Sequence, residues 1–449
     1  MRQRPYELPQ KLICDADAEI NYDLVTEYIA KHEKGMKRYV YLENLYQGFH
    51  DIYNQVVKDA WKPDNRLAVN FPRYITETFL GYAYGIPIKK SHEDDAFLAV
   101  LEEFNSLNDA PDHEYELAKM ACIFGHTYEL VYQNEEKETR LSALSPMNCF
   151  IVFDDTVKGS ALFAVRYGYK GDGDTLIGEV FTSTEVFEIQ DKMLLEVGQN
   201  PYGRLPIVEY VLNRERMGIF EEIAGLVETY NKAVGEKAND IDAFAEAYLA
   251  IIGAEVDEEG IQRIRDDRII SFYETNSAKE VLVQFLTKPT ADGSQENLLN
   301  RLETLIYQIS MVANISDESY GNASGTALAY KLHAMSNLAL TFDRKMQSSL
   351  RRRYRLFCSL PTNTPSKDAY KDIEYTFTRN IPKNLLEESQ VAQNLEGIVS
   401  QETQLSVLSI VSDVAKEIER IEDAEKDAQN DAVSRRMFQP QEGEIDDKP

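Results

Sequence analysis

The feature that most constrains this chain is the order of segments between residues 219 and 357. Apolar residues at helical spacing run from Ile219 nearly to Ala247, and again from Glu296 to Val312. A compact stretch of mixed strand and helix pattern separates them. A run of Ser, Asn, Asp and Gly then leads directly into about thirty residues of helical pattern, Thr326 to Phe357. This order predicts two antiparallel helices with a small α/β insert at one end and a loop at the other.

The chain before residue 127 is predicted to be helical. Its apolar residues stand three and four apart in five segments: Tyr22–His32, Lys37–Val57, Arg73–Gly85, Asp95–Phe104 and Glu114–Cys122. From Thr127 the period changes, and apolar or alternating runs between turn residues predict strands. These runs are Tyr128–Tyr132, Cys149–Phe153, Leu162–Tyr169 and a strand pair within Ile177–Ile189.

The glycine-rich Lys170–Asp174 (KGDGD) is predicted to be a hairpin turn between two of these strands. It fails as a calcium loop, because Leu176 and Ile177 stand where an EF-hand needs a ligand and a glycine.

The insert and the C-terminal part complete the prediction. The insert carries three strand candidates and one short helix: Tyr248–Ile252, Arg268–Tyr273, Val281–Leu286 and the helix Glu258–Asp266. Beyond the long helix, Ile373–Phe377 is a last strand and Leu385–Ile421 is helical, as one helix or several. Glu422–Pro449 is acidic and lacks periodicity, so it is predicted to be disordered. The fold class is α+β, mainly helical.

The charge balance excludes one large class of function. The 449 residues include 48 Lys and Arg against 76 Asp and Glu, for a net charge of −28. Such a surface repels phosphate on average, which argues against a protein that reads DNA grooves. The excess serves solubility, or it lets the surface meet nucleic acid without adhering to it. Composition does not distinguish these two interpretations.

The four cysteines and the chain's N-terminal residues bear on compartment. Cys14, Cys122, Cys149 and Cys358 are far apart with no CxxC pair, which fits a reducing compartment rather than a disulfide framework or a zinc site. The sequence has no signal-peptide pattern and no apolar run of about 18 residues, so we expect a protein made in the cytosol without a membrane span.

Motifs of catalysis and cofactor binding are missing from the sequence. No GxGxxG, HExxH, GxSxG or CxxC occurs, and the loop with Gly321 and Gly325 has no Walker lysine, so it is not a P-loop. The six histidines show no metal-ligand spacing. His126 stands in an apolar stretch, which favours a buried core or interface imidazole over a catalytic one. We therefore expect no cofactor, no metal and no catalytic residue.

Clusters of like charge have two interpretations each. Adjacent carboxylates suggest acid–base or metal sites, but in so acidic a chain they are expected by composition. They occur at Glu93–Asp95, Glu102–Glu103, Asp154–Asp155, Asp257–Glu259 and Asp266–Asp267. The basic run Arg351–Arg355 lies at the end of the long helix, where cations complement the dipole and pair with acidic neighbours. Direct contact with nucleic acid is its alternative interpretation.

Several motifs, in order, resemble the portal proteins of tailed bacteriophages of the siphophage type. The resemblance spans Asn65 to Arg355. It is carried by the following segments: Asn65–Phe71 (NRLAVNF), Gly81–Pro87 (GYAYGIP), Glu116–Tyr132, Leu144–Asn148, Asn213–Phe220, Asn239–Leu249 and Ser316–Leu332. The last of these is the most specific.

The resemblance implies a ring, usually of twelve subunits, at one capsid vertex, with DNA passing through its channel. It also implies a division of this chain into parts: a wing (1–218), a stem helix (219–247), a clip (248–292), a second stem helix (293–313), a tunnel loop (314–325), a long wing helix with a closing strand (326–384), a crown (385–421) and an acidic tail (422–449).

Two sets of residues then gain roles. The resemblance places a DNA-facing tunnel loop at Asn314, Ser316, Asp317, Glu318, Ser319, Tyr320, Gly321, Asn322, Ser324 and Gly325. It places a clip surface that docks the motor and the adaptor at Asp257, Glu258, Glu259, Arg263, Arg265, Asp266, Asp267 and Arg268. The loop's glycines give backbone freedom, and its two carboxylates oppose tight phosphate binding.

The implied partners are further copies of the chain, the terminase large subunit, a head–tail adaptor, the major capsid and scaffold proteins, and double-stranded DNA bound without sequence preference. The implied location is the virion, after assembly in the bacterial cytoplasm, with no membrane partner. Two alternatives remain at this point: another phage head structural or scaffold protein, and an enzyme with a hidden carboxylate or metal site.

Overall fold

The computed structural model describes residues 6, 10–59, 62–171, 173, 175–245, 248–252, 282–286, 292–316, 325–381, 385–408, 410–411 and 414–437. The described residues divide into two compact units. One is drawn from Met1–Ile315 with Leu332–Asn380, and the other from Ser316–Lys331 with Ile381–Pro449. The fold class is α+β, as expected.

More of the described residues lie in helices than in strands. In chain order they are α1 Tyr22–Lys34, α2 Met36–Gln47, α3 Phe71–Tyr84, α4 Asp95–Leu107, α5 Ala110–Phe124, α6 Ala224–Ala245, α7 Asp292–Ser310, α8 Gly325–Ser359, α9 Leu385–Leu395, α10 Gln401–Ser406 and α11 Val414–Met437. Short 3₁₀ turns occupy Asp51–Asn54, Glu221–Ile223 and Ala369–Lys371.

The strands form four sheets. They are β1 Leu12–Cys14, β2 Lys89–Ser91, β3 His126–Gln133, β4 Thr139–Leu144, β5 Cys149–Asp154, β6 Ala161–Tyr169, β7 Leu176–Phe181, β8 Glu185–Gln190, β9 Met193–Gln199, β10 Ile207–Val211, β11 Tyr248–Ile252, β12 Leu282–Leu286 and β13 Glu374–Thr376. The strand orders are β1-β5-β6-β7-β8-β9, β10-β3-β4, β11-β12 and β13-β2. Only the β1–β5 pair is parallel among the pairings in the described residues.

Strand β5 of the six-stranded sheet is buried on both faces. Its Phe150 and Val152 pack toward α1, where Tyr28 completes a buried cluster. Its Cys149 and Ile151 point the other way and join a second cluster with the three-stranded sheet. Successive side chains of a strand point to opposite faces, so a continuous apolar run such as CFIVF suits a strand buried on both sides.

The long helix α8 supplies the other part of the core. Met335, Ala339, Phe342, Met346 and Leu350, which stand three or four residues apart, are all buried. Phe342 contacts Tyr84 of α3 edge-to-face, with ring centroids 5.2 Å apart. The spacing of three and four residues makes one apolar stripe, so the helix is held from Met335 to Leu350 by side-chain packing.

Three predicted elements end differently in the structure. The predicted helix Lys37–Val57 ends at Gln47, because Gly48 takes a left-handed conformation with φ of 92°. The predicted helical segment Leu385–Ile421 consists of α9, α10 and the first part of α11. The prediction of disorder from Glu422 is wrong as far as Met437, since α11 continues to that residue. The predicted helix 258–266 and strand 268–273 lie outside the described residues.

The other predicted strands are confirmed within a residue or two, and Lys170–Asp174 does join β6 to β7 as a hairpin turn, with the Lys170 amide donating to the Thr175 carbonyl at 2.9 Å. The prediction did not include β1, β2, β4, β9 or β10.

Candidate functional site

The two helices that flank the insert lie against each other in antiparallel orientation. Near the insert, Gln295 of α7 donates to Asp240 of α6 at 3.0 Å, and Lys237 forms an ion pair with Glu296. Residues further along α7 meet residues earlier on α6, since Phe71 contacts both Tyr230 and Tyr307. The antiparallel pair predicted from the sequence is therefore present.

The rest of the chain covers only part of the apolar surface of α7, and the remainder is exposed. Leu299, Leu302 and Ile306 are buried against the protein. Leu298 is 50% exposed and Ile309 is 43% exposed, although both belong to the apolar pattern of this helix. An α-helix turns by about 100° per residue, so these two positions share one side of α7 beside the buried stripe.

A buried ion pair fixes the start of this helix pair to the rest of the protein. Glu221, just before α6, accepts a hydrogen bond from Nε of Arg38 at 2.8 Å and another from its Nη2 at 2.5 Å. The same Nη2 donates to the carbonyls of Phe124 and Arg216 at 3.0 and 2.9 Å. Arg38 is 1% exposed, so helix α2, the end of α5 and the entry to α6 meet at one charged side chain.

The end of α5 also requires a glycine. Gly125 has φ of 86°, and a Cβ placed on it would lie 2.1 Å from the carbonyl oxygen of Arg216. Only a residue without a side chain fits this left-handed cap and this close approach. The loop that leads toward α6 is thereby packed directly on α5.

The predicted tunnel loop is described only at its beginning and end. Asn314 Nδ2 donates to Glu303 of α7 at 3.4 Å, and Gly325 is the first residue of α8. Ser316 is described as well, whereas 317–324 lie outside the described residues. The positions of the loop's remaining members, and their role in contacting DNA, stay predictions.

The predicted clip has two described strands. Strands β11 and β12 pair antiparallel, from Tyr248 opposite Leu286 to Ile252 opposite Leu282, as the sequence predicted. The eight predicted docking residues, from Asp257 to Arg268, lie outside the described residues. The docking role of this segment stays a prediction.

The basic run at the end of α8 is divided by the fold. Arg353 is fully buried and donates to Glu129 of β3, with Nε 2.9 Å from Oε2 and Nη2 2.5 Å from Oε1. Its Nη1 donates to Glu114 of α5 at 2.5 Å. Arg351, Arg352 and Arg355 are exposed. The prediction of acidic partners is confirmed for Arg353, although they come from distant elements and not from sequence neighbours.

The Arg353 network changes the acidity of Glu129. Burial by itself would raise the pKa of this carboxyl, but the charge of Arg353 and hydrogen bonds from His113 and Arg353 outweigh it and lower the pKa to about 2. Tyr210 also donates to Glu129 at 3.0 Å. Glu129 therefore stays ionised inside the core, as a structural counter-ion of Arg353.

His32 and His126 are buried and neutral. Burial lowers the pKa of His32 to about 4, and burial and then the charge of Arg216 lower that of His126 well below its usual value. His126 Nε2 lies 3.2 Å from the Tyr39 hydroxyl. Its place in the core agrees with the interpretation of this residue as a packed imidazole.

Two of the carboxylate clusters in the described residues, Glu93–Asp95 and Asp154–Asp155, contribute to local structure. Asp94 caps α4 by accepting from the amides of Ala96 and Phe97 at 3.0 and 3.3 Å. Asp154 accepts from the hydroxyl of Thr156, which lowers the pKa of its carboxyl, and Asp155 accepts from the amide of Ala16. Asp257–Glu259 and Asp266–Asp267 lie outside the described residues.

Within the described residues no group of His, Cys, Asp and Glu is arranged to hold a metal ion, and the four cysteines are buried and unpaired. Of the helices that the structure describes, none has the length and apolarity to cross a membrane.

Comparison with known proteins gives a consistent family. A family model described as "Phage portal protein, SPP1 Gp6-like" matches residues 26–431. The portal protein of Bacillus phage SPP1 is 23% identical over 446 residues, which cover 92% of this chain and 85% of that protein. The portal protein of Clostridium phage phiCD119 is 24% identical over 241 residues, which cover 53% of this chain and 52% of that one.

A solved chain from the structure titled "Neck of empty GTA particle computed with C6 symmetry" aligns with a TM-score of 0.49 and 12% identity, covering 75% of this chain and 89% of that chain.

Proposed function

Since the chain belongs to the SPP1 Gp6-like family of phage portal proteins, we propose that its copies close into a ring at one capsid vertex, the conduit through which viral DNA is packaged and later ejected. The family match carries this proposal, because it extends from residue 26 to residue 431 and so includes both flanking helices, the insert, the loop and α8.

The exposed apolar side of α7 supports ring closure. Leu298 and Ile309 are uncovered in a single chain, and apolar side chains in this position are stabilised when a neighbouring copy buries them. A repeated contact between unlike surfaces closes into a ring when the rotation per subunit divides a full turn. We assign this side of the helix pair to the contact between neighbouring subunits.

The parts of the chain take the following roles in this proposal. The wing comprises residues 1–218 and 326–384, the stem helices 219–247 and 293–313, the clip 248–292, the tunnel loop 314–325 and the crown 385–421. The antiparallel packing of α6 on α7 supports the stem assignment, because it places the insert and the segment after Val312 at opposite ends of one helix pair.

The ring as proposed is passive. Portal proteins are structural components of the virion, and this chain supplies no nucleotide-binding motif, so a separate motor must provide the energy for packaging. About twelve copies at −28 each carry roughly −336, a field that opposes adhesion of DNA to the wall. The proposed partners are the terminase and adaptor at the clip, the capsid and scaffold proteins, and DNA in the channel.

Introducing negative charge at the exposed apolar positions of α7 tests the proposed contact between subunits. We expect Leu298→Glu with Ile309→Glu to leave the subunit folded by circular dichroism but to keep it below ring mass in light scattering. The matched control is Val157→Glu, an apolar residue that is fully exposed and lies away from α7. Rings that form equally well with both charges on α7 would remove α7 from the subunit contact.

The clip assignment has its own test. Reversing the charge at Arg263 and Arg265 should weaken capture of the motor or adaptor by the purified ring, while Lys137→Glu in the turn between β3 and β4 should not. Capture that is unaffected by the clip substitutions would make the clip assignment wrong.

A further inference from the structure

Four arginines lie along one side of the C-terminal half of α8. Arg344, Arg351, Arg352 and Arg355 are all exposed. They line a groove of about 240 Å³ together with Gln347, Ser348 and Tyr370. From Arg344 to Arg355 the helix rises by about 16 Å. This arginine groove gathers four positive charges on the surface of a chain whose net charge is −28.

None of these four arginines has an ion-pair partner in the part of the chain that the structure describes. The arginines at positions 38, 216, 353 and 379 each contact a carboxylate. The groove lining contains no Asp or Glu, although the chain has 76 of them. Arg355 does lie near the Tyr370 ring, 5.9 Å from its centroid. Outside the lining, a hydrogen bond from Lys371 and, more weakly, the charge of Arg355 lower the pKa of the exposed Asp368, which forms its ion pair with Lys371. The like charges within the groove repel one another, so the groove favours an anionic ligand from outside.

The composition of the groove indicates which anion. Stable protein–protein contacts bury an apolar centre, usually of aromatic and aliphatic side chains. This groove is lined by arginine, glutamine, serine and a single tyrosine, with no aliphatic residue. Interfaces with nucleic acid are more polar and much more positive, and the planar guanidinium matches phosphate oxygens two at a time.

The length of the groove also suits a duplex. Double-stranded DNA carries one negative charge per about 1.7 Å of its axis, so a groove about 16 Å long faces several phosphates at once. We infer that the arginine groove of α8 binds the phosphate backbone of double-stranded DNA without sequence preference. This contact is separate from the tunnel segment 314–325 and does not depend on that segment's role or on ring closure.

The test measures DNA binding by the full chain. Fluorescence anisotropy with a mixed-sequence duplex of about 30 base pairs is recorded from roughly 50 to 200 mM salt. Replacing all four arginines with glutamine (R344Q, R351Q, R352Q and R355Q) should weaken binding at least about tenfold at the lowest salt. The slope of log Kd against log salt should fall by about 3.6, because each of the four lost phosphate contacts removes about 0.9.

The control removes the same charge elsewhere. Lys34, Lys89, Lys137 and Lys158 are exposed on other parts of the surface, and changing all four to glutamine also shifts the net charge by four. We expect this variant to bind DNA within about twofold of the unaltered chain. Because the four arginines are exposed and unpaired, their loss should leave Tm unchanged within about 2 °C.

Three results would overturn the inference. The unaltered chain could fail to bind the duplex at low salt, or the arginine and lysine variants could lose affinity equally. The third is an arginine variant that keeps its DNA affinity but loses self-association in light scattering, which would assign the groove to a contact with acidic side chains of a second copy.

Discussion

Arg353 and Glu129 form a two-pronged ion pair inside the core, with Nε 2.9 Å from Oε2 and Nη2 2.5 Å from Oε1. Both side chains have no exposed surface, and they stand 224 residues apart in the chain. The pair joins α8 to β3, and the Arg353 contact with Glu114 extends the connection to α5. The long helix is therefore fixed to the sheet by charge as well as by its apolar stripe.

Arg353→Leu should be strongly destabilising. The substitution removes the guanidinium that pairs with the buried carboxylate of Glu129, while Glu114 keeps its ion pair with Lys90. Leaving Glu129 without this partner costs about 3–5 kcal/mol in the free energy of unfolding. Urea unfolding at pH 7 measures the loss, and Arg352→Leu, at the exposed neighbouring position, is the control with an expected effect below about 0.5 kcal/mol. Equal effects of the two substitutions would contradict a structural role for the buried pair.

His32 should make the protein less stable in mild acid. Its Nε2 lies 2.9 Å from the Pro146 carbonyl, which can only accept, so Nε2 carries the proton and Nδ1 accepts from the Tyr167 hydroxyl. Burial lowers the pKa to about 4 from 6.5. Between these values the unfolded chain binds a proton that the folded chain does not, so stability is full above pH 6.5 and falls toward pH 4.

The measurement compares His32→Gln with the unaltered chain by urea unfolding at pH 7.5 and pH 5. The stability difference between them should shift by ~2 kcal/mol in favour of the variant at the lower pH, since one titrating group is gone. His333→Gln, at an exposed position of α8, should produce no such shift. A constant difference between His32→Gln and the unaltered chain would mean that His32 does not titrate in this range.

Gly125→Ala should cost about 2–4 kcal/mol of stability, because it combines a left-handed backbone with a Cβ 2.1 Å from the Arg216 carbonyl oxygen. Gly225→Ala is the control, since nothing lies within 4 Å of its Cβ and it stands in α6. There alanine should stabilise by up to about 1 kcal/mol through helix propensity. Thermal unfolding of both variants checks the opposite signs, and a neutral Gly125→Ala would show that this approach can relax.

Shortening 314–325 should leave rings intact and impair packaging. The change acts on the segment that we propose to contact DNA, whereas the subunit contact that we propose lies on α7. DNA protected from nuclease in a packaging reaction with the cognate motor gives the readout, and shortening the 170–174 hairpin turn is the control. A shortened chain that no longer folds would count against a tunnel role, and so would packaging at the normal level.

Local patterns in the sequence were sufficient for most helices. The apolar stripe of α8 and the two helices beside the insert follow from residue spacing alone, and all three are present. Two of the strands that the prediction lacks, β1 and β9, have weak local signals. Strand β1 has three residues and is held as a parallel edge by β5, and most of β9 is exposed, so neither shows a clear alternation. Strand β1 depends on pairing with a distant segment, whereas β9 forms a hairpin with β8, in which Gln190 lies opposite Met193.

The buried ion pairs of Arg353 also depend on contacts between distant segments, which local patterns do not show. The run Arg351–Arg355 was recognised, but its buried member was not. A signal for it exists, because Arg353 continues the stripe of Met346 and Leu350 at spacings of seven and three, which places it on the buried face. Its partners Glu114 and Glu129 lie on other elements. Only the packing of those elements brings them within reach.

The most direct test of the central proposal is an end-on electron-microscope image of the purified full-length protein, with particle mass measured on the same sample. We expect closed rings with a central hole and a mass of about 616 kDa for twelve copies of the 51.3 kDa chain, or a neighbouring multiple. A particle that stays a single subunit under every assembly condition, or that forms solid or open assemblies without a hole, would contradict it.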